Sequence, residues 1–165
     1  MIARSLLFWV FASISHSAIA GSMVVLDVQA ALQSSNAAEA FRADLVKSTS
    51  QQESQVRDLE NQAKKMQSDF ELNKGLLTQE QIQQKDLQFK KVYGEYQRQL
   101  QALQQQRAAM EKEFLEGMRP KLDQVIKALI DEGDISLIIN RQSAIYVEPR
   151  IDITGEIIKR LNAQE

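Results

Sequence analysis

Cysteine is absent from this 165-residue chain, which excludes a disulfide framework, a thiol nucleophile and a thiolate metal site. Histidine occurs once, as His16, inside an N-terminal stretch that reads as a removable leader. The rest of the chain then lacks the two residue types that supply most general bases, nucleophiles and zinc ligands. Its carboxylates do not take their place. Glu111 and Glu113 face different sides of a helix, and Glu53 with Glu60, or Asp58 with Asp69, read as solvated charges. No glycine-rich phosphate loop is present, so no nucleotide site is expected. A formal net charge of −2 gives no strong field, which argues against a general nucleic-acid binder. Catalysis, cofactor chemistry and metal binding are left without candidate residues.

Long apolar runs are also missing. The nearest is N-terminal, where Arg4 precedes Leu6, Leu7, Phe8, Trp9, Val10, Phe11 and Ala12, and Ala18 and Ala20 stand ahead of Gly21. This reads as a secretory signal peptide over residues 1–20, cleaved before Gly21. A membrane anchor is the competing reading, but the run is short for a bilayer.

Helix formers are abundant. Residues 36–130 are dominated by Gln, Glu, Lys, Ala and Leu and contain one proline, Pro120. Apolar positions recur in steps of three and four: Phe41, Leu45, Ser48, Gln52, Leu59, Ala63, Met66 and Phe70, then Ile82, Phe89, Tyr93, Tyr96, Leu100, Leu103, Arg107, Met110 and Phe114. Such spacing predicts coiled-coil helices. Between the two runs, Gly75 can adopt the left-handed conformation that ends a helix, and Thr78 with Gln81 has capping-box spacing. Two long antiparallel helices are expected, with a tip near residues 73–78 and a first arm of roughly 55 Å. The seam holds polar residues, which lower stability, and basic and acidic side chains balance at about fifteen each. A solvated spacer and a flexible arm with a weak binding stripe both fit this pattern. Phe89, Tyr93, Tyr96 and Phe114 likewise read as seam packing or as a ligand-binding stripe.

The ends differ from the arm. Residues 23–28 read as a buried strand followed by one helical turn; Ser34, Ser35 and Asn36 are expected to cap the arm's start, with Asn36 and Glu39 at capping-box spacing. Gly117 and Pro120 are expected to break the returning helix and to act as a hinge. Beyond them Leu122, Val125, Ile126, Leu129 and Ile130 form a richer apolar face. Residues 135–140 give the strongest strand signal, and 144–147 are expected to pair with them as a hairpin. A last helix spans residues 154–161 with Asp152 as its cap. The first strand cannot stand alone and must rejoin the C-terminal strands. The fold class is therefore α+β: a small β body over 21–35 and 121–165, built from both chain ends, with a coiled-coil hairpin inserted over 36–120. A body of roughly 60–70 residues is marginal for one chain, so association is expected.

This layout resembles the Skp (OmpH) family of periplasmic chaperones. The matching residues are Val24, Val25, Leu26 and Asp27 with Leu32 and Ser35, the Gln/Lys-rich arms, and the stretches 126–130, 133–139 and 152–158. The resemblance implies a homotrimer whose pooled strands form a barrel, with three arms enclosing a cavity. Unfolded outer-membrane proteins would be held there without ATP. The interface would then use Val25, Leu122, Ile126, Leu137, Ile138 and Ile139. The client-binding candidates are Phe70, Leu76, Leu77, Phe89, Tyr93 and Tyr96, because balanced arm charges leave attraction to apolar side chains. The best-known members are basic and this chain is acidic, with a sequence pI of about 5.6, so no residue is assigned to lipopolysaccharide. A periplasmic coiled-coil scaffold or adaptor without chaperone activity is the alternative, and a prefoldin-like chaperone is opposed by the leader.

Overall fold

The structure is a computed structural model describing residues 21–164; the signal-peptide expectation lies outside the described residues. Strand β1 (Ser22–Leu26) leads to the short helix α1 (Val28–Gln33). The arm follows as α2 (Asn36–Asn73) and α3 (Gln79–Glu132), and the chain ends with β2 (Ile135–Asn140) and α4 (Thr154–Asn162). β1 and β2 pair in parallel, Val24 opposite Ile138 and Val25 opposite Ile139. Both chain ends thus build one body around the inserted hairpin.

The body core is formed by Leu26, Ala31, Met118, Leu122, Val125, Ile157 and Leu161. It draws on β1, α1, the base of α3 and α4, so four separate elements must arrive before it closes. Polar bonds between the ends reinforce it. The Thr154 hydroxyl accepts from the Asp27 backbone N–H at 2.9 Å, and Asn162 Oδ1 accepts from the Asn36 N–H at 2.9 Å. Arg160 grips both oxygens of Glu132 at 2.9 and 2.7 Å and also bonds Glu156 at 2.8 Å, fastening α4 to the end of α3. This bidentate geometry suits the planar guanidinium.

Several sequence expectations are corrected. Residues 144–147 form no strand. Asn140 accepts from the Gln142 N–H, a 3₁₀ turn follows at Arg141–Ser143, and the chain swings back to β1. There Asp152 bridges Val25 in parallel and Ile153 donates to the Val25 carbonyl at 2.9 Å. The stretch also lacks the Asn-Gly type of dipeptide that closes a tight hairpin. At the arm's start the cap is Ser35, whose hydroxyl accepts from the Ala38 N–H, one residue before Asn36. The tip turns through 3₁₀ geometry at Lys74–Leu76, and no described glycine has positive φ. Asp134 instead adopts the left-handed conformation, φ 42°, in the turn into β2. Ile153 holds the N-cap position of α4 without a side-chain bond, while Asp152 accepts from the Thr154 N–H at 3.0 Å.

The Thr78–Gln81 capping box is present in both directions. α3 runs unbroken through Gly117 and Pro120. Pro120 cannot donate to the carbonyl four residues back, but Glu116 and Pro120 are exposed, so water can satisfy that carbonyl.

Candidate functional site

The arm is a two-helix seam extending from the body. Its 38- and 54-residue helices correspond to roughly 57 and 81 Å of rise. Where the hairpin leaves the body, Phe41 and Phe114 stack at 4.6 Å with their rings 12° apart. Farther out, the fully buried seam residues are small or medium: Thr49, Val56, Ala63 and Leu103. Contacts of this size hold two helices together weakly, because burial scales with apolar area.

The seam register differs from the sequence reading at four places. Thr49, with 0% exposure, lies in the seam where Ser48 was expected, and Val56 fills the gap between Gln52 and Leu59. Val92 is half-buried while Tyr93 is 45% exposed, and Arg107 is exposed beside the seam. The cause is heptad geometry. Ser48 and Thr49, Val92 and Tyr93, and Gln106 and Arg107 are adjacent, and a one-residue shift moves a residue about 100° around the helix.

The client-binding candidates therefore separate into two groups. Phe70 and Phe89 are half-buried and line a cavity of about 240 Å³ between α2 and α3, with Met66 and Lys85 also in its wall. Phe89 stacks on Tyr93 at 5.6 Å, and Tyr93 meets half-buried Tyr96 at 6.0 Å, giving an aromatic ladder along α3. At the tip Leu76 is 85% exposed and Leu77 half-buried. In the outer half of the arm two further exposed leucines escaped the sequence reading, Leu72 at 78% and Leu87 at 66%. Their positions fall between seam residues, at 70 and at 85 and 89. A large apolar residue off the heptad seam was the signal that could have revealed them.

The interface candidates also divide. Val25 and Leu122 are buried inside the single chain, and Ile126 and Ile138 pack against its core. All four contribute to this chain's own core, Ile126 and Ile138 while still partly exposed. Ile139 is half-buried, and Leu137 is 47% exposed on β2. Met23, Ile145 and Tyr146 are also exposed on the body. Gly117 has open space around the position a Cβ would take.

The arm's electrostatics are local. Most ion pairs link residues three or four apart on one helix, such as Lys64–Glu60 and Lys90–Asp86. The exception between α2 and α3 is Arg107, whose guanidinium donates to Glu53. The Thr49 hydroxyl lies 2.6 Å from the same Glu53 oxygen. The Thr49 bond first, and Arg107 second, hold the Glu53 carboxyl below the usual range. Among the described residues no group of three or more His, Cys, Asp or Glu side chains is placed to hold a metal ion. No described helix is long and apolar enough to cross a membrane.

Comparison with known proteins agrees with this architecture. A solved structure of a candidate outer membrane chaperone (OmpH-like) from Caulobacter crescentus CB15 superposes with a TM-score of 0.63, covering 88% of this chain and 86% of that one. At 19% identity the likeness is one of fold. A Skp-like protein from Pseudomonas aeruginosa is 31% identical over 140 residues, or 85% of this chain and 83% of that protein. The family described as outer membrane protein (OmpH-like) matches residues 22–161, and the chain belongs to that OmpH-like family.

Proposed function

We propose that this protein is an ATP-independent periplasmic holdase chaperone that binds unfolded outer-membrane proteins between helical arms and prevents their aggregation. The observation that carries this reading is the set of large apolar side chains, Leu72, Leu76, Leu87 and Tyr93, left exposed on an arm whose seam does not need them. Scattered apolar residues among balanced charges offer many weak contacts to a chain without fixed shape. Family membership and the descriptions of its relatives support the same role. The leader-like residues 1–20 agree with a periplasmic location.

The reading includes a homotrimer whose arms enclose the client. Its support is the body's exposed apolar residues Met23, Leu137, Ile145 and Tyr146, together with residues 144–147, which have strand-like composition and no strand partner among the described residues. Leu137→Asp would place a carboxylate in the interface and dissociate the trimer while sparing the protomer's core. Sedimentation reads this outcome.

The decisive assay is light scattering of a urea-unfolded outer-membrane barrel protein diluted without ATP. Sub-stoichiometric to equimolar trimer is expected to suppress aggregation. Unchanged aggregation would favour a coiled-coil scaffold and overturn the reading.

A further inference from the structure

The middle of the arm is polar where a coiled coil is normally apolar. Thr49, Gln52 and Glu53 on α2 and Gln106 and Arg107 on α3 are the polar residues of this stretch, and Arg107 reaches across to Glu53. Thr49 is fully buried, and Gln52, Glu53 and Gln106 are half-buried. Among the described residues, Glu53–Arg107 is the only side-chain hydrogen bond or ion pair that joins the two helices. Thr49 holds the carboxylate in place for it, 2.6 Å from Glu53 Oε1. Glu53 lies about 30 Å of helix from the end of α2 at Asn73.

The arm differs on the two sides of this layer. Toward the body, the Phe41–Phe114 stack and the packing of Ala37 and Phe114 on the core anchor the helices. Toward the tip, Val56, Ala63 and Leu103 are the fully buried seam residues, and the larger Phe70, Phe89 and Tyr96 are only half-buried. Local opening is easiest where buried apolar contact is sparse.

We propose that the Thr49–Glu53–Arg107 layer is a latch dividing the arm into a proximal segment that stays zipped and a distal segment that opens on its own. The cross-arm pair sets the opening equilibrium. Its carboxylate is 25% exposed and its guanidinium 47%, so salt screens it and weakens the latch. Opening exposes the rings of Phe70 and Phe89 to a client. That consequence rests on the chaperone reading, whereas the latch does not, and the test omits the client.

The test is amide hydrogen exchange of the assembled protein, at low and moderate salt, for the parent, Glu53→Gln, Arg107→Gln and the double variant. Each single variant is expected to speed exchange in peptides from 54–73 and 79–102 by about two- to five-fold, the range for a partly exposed pair. Peptides from 36–47 and 110–132 should not change. The double variant should be no faster than Glu53→Gln, because both singles remove the cross-arm pair, while Glu53→Gln also ends the Arg57–Glu53 pair within α2. Salt should speed the distal segment of the parent more than that of the double variant, since distal pairs such as Lys64–Glu60 and Lys90–Asp86 are screened equally in both. Unchanged distal peptides, equal acceleration on both sides, or additive single effects would overturn the proposal. Should one variant lose helicity, the other single variant decides against the parent: acceleration confined to the distal segment supports the latch, and none refutes it.

Discussion

Ile157→Ala measures how strongly the two chain ends cohere. Ile157 is fully buried on α4, a nine-residue helix whose attachment depends on Ile157, Leu161 and the Arg160–Glu132 pair. Its side chain fills a core walled by Leu26 on β1 and by Leu122 and Val125 on α3, elements that cannot collapse independently. Removing these methyl and methylene groups forfeits transfer energy and leaves a cavity, about 3 kcal/mol within the usual range for such truncations. Leu103→Ala is the control, buried to 6% exposure in the arm seam. A two-helix seam can close over missing atoms or admit water, so the cavity penalty falls away and about 1–2 kcal/mol is expected. The assay is urea unfolding followed by circular dichroism at one fixed protein concentration, since association adds stability by mass action. Amide exchange of α4 should rise with Ile157→Ala and not with Leu103→Ala. A cost below about 1 kcal/mol for Ile157→Ala, or one no larger than the control's, would refute a body held by this core.

Replacing Leu72 and Leu76 with Ser should weaken client affinity roughly thirty-fold, from about 1 kcal/mol for each partly buried leucine, and more than replacing Lys64 and Lys65 with Gln. Client affinity should change only modestly between low and moderate salt; a steep salt dependence, or a larger loss from the lysine pair, would show that local positive charge governs capture. Gly117→Ala with Pro120→Ala should raise helix stability by several kcal/mol, up to about 4, and stiffen the arm, because both residues are exposed and Gly117 has room for a Cβ. Unchanged scattering profiles and an unchanged range of client sizes would remove the hinge assignment. The bond to Arg160 lowers the pKa of both Glu132 and Glu156, so their contribution is complete above the ordinary value of about 4.3 and is lost as pH falls through the lowered values. Thermal melts in acid should show Arg160→Ala losing this pH dependence; parallel curves for parent and variant would contradict the assignment.

The inserted hairpin was legible in the sequence because helix propensity, heptad spacing and the Thr78–Gln81 box all agree over many turns. The strand at residues 135–140 was legible from its continuous apolar run. The seam's exact register was not. Ser48 and Thr49, or Val92 and Tyr93, are adjacent, and a weak stripe leaves a one-residue ambiguity that only the partner helix resolves. The missing strand at 144–147 has a different cause. Local composition favours a strand, but the chain leaves β2 through the 3₁₀ turn at Arg141–Ser143 and returns to β1 at Asp152 and Ile153, so residues 144–147 do not pair with β2. The interface candidates failed to separate because core and interface residues share one chemistry. Val25 and Ile138 look alike in sequence to Leu137, yet only Leu137 is left exposed. The Glu53–Arg107 contact joins residues 54 positions apart, which spacing rules for single helices do not reach.

The central claim is that the outer arm, rather than the body, holds the unfolded client. Site-specific photo-crosslinking tests it most directly, with a photoreactive phenylalanine analogue placed singly at Leu76, Leu87 and Tyr146 and an unfolded outer-membrane barrel protein added without ATP. Positions 76 and 87 should crosslink to the client, while position 146 should crosslink to a second copy of the chain. Client adducts at position 146 with none at 76 and 87 would contradict the account.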